Sequence, residues 1–172
     1  ETLVGLRSTS VNLSTSMKWR NLVGLSYLRY AHKDAFLANL HTLDQEGSIE
    51  AVIHMGACSS TTETDCDYLM RNNLEYSKAM CRFAQMHGAR FIHASSAATY
   101  GDGSRGFDDA DEVMDALQPM NMYGYSKHLF DLWLAREKLL DKVAGLKFFN
   151  VFGPNEYHKG DMKSVVCKAF AQ

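Results

Sequence analysis

Tyr123 and Lys127 form the pattern Y-x-x-x-K near the start of a helix predicted over residues 123–140. Four residues advance about 400° around a helix, so both side chains lie on one face. An ammonium close to a phenol favours the phenolate and lowers the pKa of the tyrosine. The pair therefore suggests a base that works near neutral pH, although the pattern alone also fits a surface tyrosine beside a solvated lysine.

Small and polar residues follow three apolar segments with the character of buried strands, at residues 50–54, 90–94 and 145–149. The residues that follow are 55–60 (MGACSS), Ser95 and Ser96, and 150–154 (NVFGP). Small residues let a flat cofactor lie against the backbone, and a serine hydroxyl can bond a substrate hydroxyl. Together with Tyr123 and Lys127, these segments predict one catalytic site.

The order of the predicted elements indicates how these segments are brought together. Helices predicted over 65–87 and 123–140 alternate with the strands, a short helix is predicted at 34–40, and another begins at 162. Right-handed crossovers then give a parallel sheet whose ligands bind beyond the carboxyl ends of the strands. We therefore predict a single α/β domain with a Rossmann-like doubly wound parallel sheet.

The amino-terminal part of this fold is expected to be incomplete. Gly5 has no further glycines at the spacing of a dinucleotide-binding turn, and residues 11–22 read as a polar loop. The glycines at 101, 103 and 106 do spell G-x-G-x-x-G, but the acidic segment FDDADE follows them instead of an amphipathic helix. That motif is interpreted as a surface loop. The first strand, the glycine-rich turn and a C-terminal substrate domain are all predicted to be absent from residues 1–172.

Composition excludes several classes of partner. The net charge of −2 offers no basic surface for nucleic acid, and no apolar run reaches the roughly 20 residues that span a bilayer. The four cysteines form no C-x-x-C pair and no zinc set, so they are expected to be free, mostly buried thiols in a reducing cytoplasm.

Several longer strings resemble a known family. Ser96, Tyr123 and Lys127 resemble the catalytic triad of extended short-chain dehydrogenases/reductases. More narrowly, HMGACSSTTETD, the pair Asn72–Asn73, ASSAATYG, YGYSKHLFD and FFNVFGPNEYHKG are similar to the ADP-L-glycero-D-manno-heptose 6-epimerases, bacterial enzymes that make a lipopolysaccharide precursor. GACSSTTE and YHKG are the specific strings, whereas Y-x-x-x-K marks only the class.

The resemblance implies roles for individual residues. Tyr123 and Lys159 would be the two acid/base groups, Ser96 would orient the substrate, and Lys127 would bind the cofactor ribose and tune Tyr123. The implied cofactor site comprises Asn12, Lys18, Lys33, Met55, Gly56, Ala57, Cys58, Ser59, Asn72, Tyr123, Lys127, Val151 and Lys159. Ser96, Asn150, Asp161 and Lys168 would contact substrate. The chain departs from the family at Asp161 and Lys168, where the family has serine and histidine, and at Val11, where it has an acidic residue.

The implied reaction inverts C6 of an ADP-linked heptose by transient oxidation and re-reduction with bound NADP, or with NAD as the alternative cofactor. The full-length protein would be a cytoplasmic bacterial homo-oligomer. A 4,6-dehydratase would carry an acid pair where this chain has Ala97 and Ala98. A UDP-hexose 4-epimerase and a catalytically inactive fragment or pseudoenzyme remain as alternatives.

Overall fold

The computed structural model describes residues 2–4, 8–10, 17–27, 29–40 and 49–170. The strands are β1 (Thr2–Val4), β2 (Ser8–Ser10), β3 (Arg29–Ala31), β4 (Ala51–His54), β5 (Arg90–Ser96) and β6 (Val143–Phe148). The α-helices are α1 (Lys33–Ala38), α2 (Cys66–Leu69), α3 (Tyr76–Met86), α4 (Met122–Arg136) and α5 (Val165–Phe170). A π-helical turn, Met70–Glu75, joins α2 to α3. The 3-10 helices are Met17–Leu22, Ala97–Tyr100, Asp111–Ala116, Leu140–Lys142 and Tyr157–Met162.

These elements confirm the predicted α/β class and the predicted strands, which correspond to β4, β5 and β6. The long predicted helices correspond to α2–α3 and to α4, and the short ones to α1 and α5. Helix α4 ends at Arg136, earlier than predicted, because Lys138 has a φ of 56° and breaks the helical path. The polar loop predicted at 11–22 is wrong for Met17–Leu22, which form a 3-10 helix, while residues 11–16 lie outside the described part.

The six described strands form one sheet in the order β3-β2-β1-β4-β5-β6. Strands β2 and β3 are parallel to each other, and β4, β5 and β6 form a parallel series. Strand β1 is antiparallel to both of its neighbours, β2 and β4. All the described strands except β1 therefore end at one edge of the sheet, here called the carboxyl edge, which is where ligands of such sheets bind.

A short strand that the sequence pattern did not indicate lies near the centre of the sheet. Strand β1 lies between β2 and β4, where Thr2 pairs with His54 and Val4 with Val52. The sequence pattern missed this strand because three residues are too few to show a periodicity. Its reversed direction places its carboxyl end at the edge opposite the ligand edge. Gly5 itself lies outside the described residues.

The core lies between the sheet and helices α3 and α4. Val52 and Phe91 are register partners on β4 and β5, so their side chains lie on the same face of the sheet. They share one buried cluster with Met80 from α3 and with Phe130 and Leu134 from α4. Burial of each large apolar side chain contributes about 1.5–3 kcal/mol. This cluster fixes α4 against β5 and so fixes the positions of Tyr123 and Lys127 on that helix.

Other sequence predictions have mixed outcomes. The G-x-G-x-x-G segment forms a turn whose glycines 101, 103 and 106 all have positive φ, and no α-helix follows it directly. The loop interpretation is confirmed. The cysteines are free, but Cys66 is exposed and among them only Cys81 is fully buried, so the expectation of mostly buried thiols is wrong. Within the described ranges, no helix is long and apolar enough to cross a bilayer.

Candidate active site

Helix α4 brings Tyr123 to the end of β5. The side chain of Asn121 caps the helix by accepting a hydrogen bond from the Gly124 amide at 2.8 Å. A Cβ atom on Gly124 would lie 2.7 Å from the carbonyl oxygen of Ala98, closer than two such atoms can approach. Glycine at 124 therefore lets the first turn of α4 lie against the 3-10 helix Ala97–Tyr100, which places Tyr123 beside Ser96.

The Tyr123 phenol is mostly buried, and this burial raises its pKa. A hydrogen bond with the Ser96 side chain acts in the opposite direction and lowers the pKa. The sequence predicted a net lowering by Lys127, and this prediction is wrong for the structure. Desolvation of the phenolate outweighs the stabilising contacts, and the Lys127 ammonium is directed at a backbone carbonyl.

Lys127 is almost completely buried, with 5% of its surface exposed. Its Nζ donates a hydrogen bond to the carbonyl of Ala94 at 2.8 Å. Burial lowers the pKa of Lys127 to about 8, while the charge of Asp131 acts to raise it. The hydrogen bond to Ala94 thus fixes the ammonium near the end of β5. Burial and the nearby Asp131 together determine the pKa of Lys127 there.

A second buried polar group lies one turn further along α4. Asp131 accepts a hydrogen bond from the Ser95 hydroxyl at 2.7 Å, and its other oxygen lies 4.0 Å from His93 Nε2. Burial raises the pKa of Asp131 to about 6 and lowers that of His93 to about 3. The sequence analysis missed Asp131, although its position four residues after Lys127 places it on the same helix face.

The buried side chain of Asn73 joins the loop after β4 to α4. Its Oδ1 accepts from the Cys58 amide at 2.8 Å, and its Nδ2 donates to the Cys58 carbonyl at 3.0 Å and to Ser126 Oγ at 2.9 Å. The Ser126 hydroxyl in turn donates to the Tyr123 carbonyl at 2.7 Å. Asn73 thus connects the loop that follows β4 to the first turns of α4. Sequence reasoning chose its neighbour Asn72, which is only half-buried and donates to Asn73 Oδ1 at 3.1 Å.

The loop after β4 contains the residues that the sequence analysis assigned to the cofactor. Gly56, Ala57 and Cys58 are half-buried and small, and Asn73 fixes their backbone at the carboxyl edge; Met55 and Ser59 are exposed on either side. A flat ring can therefore lie on this loop with little steric hindrance. Among the described residues, no glycine-rich turn offers amides for a pyrophosphate at this edge, because β1 runs the opposite way.

The remaining predicted cofactor residues are spread over the amino-terminal part of the chain. Lys33 begins α1 just beyond the carboxyl end of β3, and its Nζ lies 2.9 Å from Asp34 Oδ1. Lys18 belongs to the 3-10 helix Met17–Leu22, which lies beside the 3-10 helix Tyr157–Met162. Asn12 lies outside the described residues.

The segment after β6 carries Lys159 and is far more open than the Tyr123 site. Asn150 and Val151 are exposed where β6 ends, and the Lys159 side chain is 41% exposed. The Lys159 ammonium lies 4.0 Å from Glu156 Oε2. Lys168 Nζ donates to the Asp161 carbonyl at 2.7 Å, so the two departures from the family pattern lie together.

The described residues contain no group of three or more His, Cys, Asp and Glu that would suit a metal ion. The candidate site brings several other functional groups together. These are a phenol bonded to a serine, a buried ammonium behind them, and a second lysine on the neighbouring open segment.

Comparison with known proteins places these features in a family context. The profile of the NAD dependent epimerase/dehydratase family matches residues 11–172. The ADP-L-glycero-D-manno-heptose-6-epimerase of Nitratidesulfovibrio vulgaris is 62% identical over 161 residues, which are 94% of this chain and 50% of that protein. The enzyme of the same name from Fusobacterium nucleatum is 48% identical over 158 residues, 90% of this chain and 48% of that one. The chain spans about half the length of the curated relatives it matches.

Solved structures of epimerases are also similar to this chain. The crystal structure of the Helicobacter pylori ADP-L-glycero-D-manno-heptose-6-epimerase superposes with a TM-score of 0.73 at 28% identity, over 87% of this chain and 47% of that one. A UDP-glucose 4-epimerase from Thermotoga maritima superposes with a TM-score of 0.71 over 95% of this chain and 53% of that one. Its identity of 19% supports a shared fold alone.

Proposed function

We propose that this chain, which belongs to the NAD dependent epimerase/dehydratase family, carries the catalytic residues of an NADP-dependent epimerase that inverts C6 of an ADP-linked heptose. The observation that carries the proposal is the arrangement at the carboxyl edge. There, Tyr123 bonds Ser96 and the Lys127 ammonium is buried behind the same strand end. This is the set of groups that a hydroxyl-to-ketone oxidation needs.

The residues divide the work as follows. A bound nicotinamide cofactor would supply hydride transfer from C6 and back to the opposite face of the same carbon, so the reaction would have no net redox change. Ser96 orients the C6 oxygen, and its bond to Tyr123 favours the phenolate that removes the hydroxyl proton. Because the two hydride transfers use opposite faces, a second proton carrier is needed, and we assign this role to Lys159.

Binding of NADP is supported by two features of the β2–β3 side of the sheet. Val11 follows β2 at the position where an acidic residue would bond the ribose 2′-hydroxyl of NAD and repel a 2′-phosphate. Lys33 lies beyond the end of β3 and supplies a positive charge. Titration with both cofactors tests this preference, since stronger binding of NAD would contradict it.

The choice of an ADP-heptose rests on the relatives. Proteins named as ADP-L-glycero-D-manno-heptose-6-epimerases share 62% and 48% identity with this chain, and the strings GACSSTTE and YHKG lie in the described carboxyl-edge loops. We further propose that residues 1–172 form part of a Rossmann-like cofactor domain that works with a separate substrate domain. The whole protein would act as a cytoplasmic homo-oligomer.

One observation favours a second candidate, a chain that adopts the fold without catalysing the reaction. The reversed β1 leaves the described carboxyl edge without the amides that normally hold a pyrophosphate. A chain of this kind would keep the buried Lys127 network yet bind dinucleotide weakly. Measurement of cofactor affinity separates the two candidates.

The experiment that tests the proposed function is Tyr123→Phe in the intact protein. Loss of the phenol should lower turnover of ADP-heptose epimerisation by a factor of about 10² to 10⁴, while substrate affinity changes little. Tyr125→Phe is the matched control, because Tyr125 lies two residues away on the same helix and is 45% exposed. Turnover of the Tyr123 variant within about threefold of wild type would remove Tyr123 from the mechanism.

A further inference from the structure

Glu156 is buried within a segment that is otherwise exposed. Only 5% of Glu156 is accessible, whereas its neighbours Phe152 and Tyr157 are 63% and 51% exposed. A buried carboxylate is costly unless its oxygens are hydrogen-bonded. Its burial in such an open segment therefore calls for specific partners.

The partners of this carboxylate come from both ends of the segment. Oε1 accepts from the Gly153 amide at 3.0 Å and from the Ser164 hydroxyl at 2.9 Å, and Oε2 accepts from the Ser164 amide at 2.8 Å. These bonds lower the pKa of Glu156, so the group is ionised at neutral pH. One side chain thereby fixes the start and the end of the ten-residue stretch that lies between its partners Gly153 and Ser164.

The backbone around Glu156 is shaped to direct this side chain inward. Asn155 has a φ of 70°, in the left-handed region that asparagine tolerates better than most residues. Its Oδ1 accepts a hydrogen bond from the Tyr157 hydroxyl at 2.6 Å. The chain reverses here, which lets Glu156 lie inside while residues on both sides face solvent.

Lys159 depends on the same residue twice. Its backbone amide donates to the Glu156 carbonyl at 3.0 Å, which closes the first turn of the 3-10 helix Tyr157–Met162. Its ammonium lies 4.0 Å from Glu156 Oε2, with the lysine side chain 41% exposed and that of the glutamate 4% exposed. The Lys159 ammonium therefore lies next to the buried carboxylate of Glu156, while part of the lysine side chain is open to solvent.

We propose that Glu156 is a positioning residue for Lys159, a role that rests on the proposed function. Its carboxylate clamps the two ends of the segment and holds the ammonium of Lys159 at one place beside the site. Charge on Glu156 is required, because a neutral amide of the same shape would direct an N–H group at one of the backbone amides that the carboxylate now accepts from.

The test is a cycle of Glu156→Gln, Lys159→Met and the double variant in the intact protein. Displacement of a reacting group by about 1 Å costs about 100-fold in rate, so Glu156→Gln should lower epimerisation turnover by about 10- to 100-fold. The KM for substrate should stay within about threefold, and transient cofactor reduction on mixing with substrate should survive. In the Lys159→Met background, Glu156→Gln should change the residual rate by less than about twofold.

Tyr157→Phe is the matched control, since it removes an exposed hydrogen bond of the same segment and leaves the carboxylate intact. Wild-type turnover in Glu156→Gln, with Lys159→Met inactive, would overturn the positioning role alone. Normal epimerisation by Lys159→Met would overturn the role of Lys159 in the proposed function, and the positioning role with it. An equal loss on adding Glu156→Gln to Lys159→Met would show that Glu156 acts on the fold and would also overturn the inference.

If the glutamine variant does not fold, Glu156→Asp provides the same cycle, because it keeps the charge and shortens the reach by one methylene. Thermal unfolding of every variant identifies loss of folding. The shorter side chain should lower turnover in the wild-type background and change the rate by less than about twofold in the Lys159→Met background, and an equal loss in both backgrounds would contradict the proposal.

Discussion

Two parts of the candidate site are built in opposite ways. The Tyr123 region, formed by the end of β5, the 3-10 helix Ala97–Tyr100 and the start of α4, buries Ser96, Ser126 and Lys127. The Lys159 region, residues 149–164, leaves Phe149 and Phe152 about 60% exposed. Many backbone and side-chain contacts fix the first region, whereas one carboxylate ties the second together. Under the proposed function, the comparison implies that Tyr123 is held by many contacts and Lys159 chiefly by the contacts of one buried carboxylate.

Two glycines, one in each region, provide the strongest test of this difference. Gly124→Ala would drive a Cβ atom against the Ala98 carbonyl, whereas a Cβ on Gly153 meets nothing within 4 Å. Gly124→Ala should therefore displace α4, lower turnover by about 100-fold and lower the free energy of unfolding by about 1–3 kcal/mol. Gly153→Ala should change turnover by less than about threefold. Similar losses in the two variants would show that the regions are equally constrained.

The buried charge of Asp131 predicts a pH dependence for the Tyr123 region. Its folded pKa of about 6 exceeds the ordinary value of 3.8, so the fold favours the protonated acid. This contribution is complete below pH 3.8 and is lost as pH rises through 6. Between pH 4 and 7, Asp131→Asn should therefore gain up to about 3 kcal/mol of unfolding free energy relative to wild type.

Urea unfolding of both proteins across this pH range measures that difference. His93, Lys127 and Lys147 surround Asp131, and Tyr100 and Asp109 lie on the loop side. Burial lowers the pKa of His93 to about 3, so His93 stays neutral across the range, and Lys127, with a pKa of about 8, stays charged through most of it. A difference that is constant with pH would show that Asp131 titrates normally.

Cofactor affinity tests the consequence of the reversed direction of β1 for the candidate site as a whole. With β1 reversed, the 172-residue chain should bind NADP at least about 100-fold more weakly than the full-length Nitratidesulfovibrio vulgaris relative, a loss of about 2.7 kcal/mol. It should show no epimerase activity by itself. Isothermal titration of monodisperse protein provides the measurement. Micromolar binding by the 172-residue chain would show that other residues replace the glycine-rich turn.

A smaller effect is expected from the adjacent asparagines. Asn73→Ala leaves the Cys58 amide and carbonyl without their buried partner and should lower the free energy of unfolding by about 2 kcal/mol. Asn72→Ala removes only a partly buried contact and should cost less than about 0.5 kcal/mol. Urea unfolding of the two variants distinguishes them. An equal loss of unfolding free energy in the two variants would mean that the hydrogen bonds between Asn73 and Cys58 add no specific stability.

The sequence predicted those parts of the structure that have a long periodic pattern or a short-range motif. Strands β4, β5 and β6 and helices α2–α4 follow from apolar spacing, and Ser96, Tyr123 and Lys127 follow from their positions at strand and helix ends. Strand β1 was missed because its place depends on pairing with residues about 50 positions away. The raised pKa of Tyr123 was missed because burial is a property of the packed molecule.

Partners that are far apart in the sequence were also beyond prediction. Asn73 contacts Ser126, 53 residues away, and Ser95 bonds Asp131, 36 residues away, and no local pattern marks either pair. Glu156 differs, since all its partners lie within eight residues. It was missed because a glutamate in a polar loop is normally a solvated charge.

The π-helical turn between α2 and α3 changes which side of the helix the side chains occupy before and after it. A π turn accommodates one residue more than the regular helical path, and one residue corresponds to about 100° of rotation. Asn73 lies within this turn and bonds Cys58 in the loop after β4, while Met80 and Ala84 of α3 belong to the core. With α3 held by the core, deletion of Leu74 or Glu75 would rotate Asn73 by about 100° away from Cys58. Insertions and deletions of one residue at this turn are therefore an evolutionary route by which a descendant could lose the site and keep the fold.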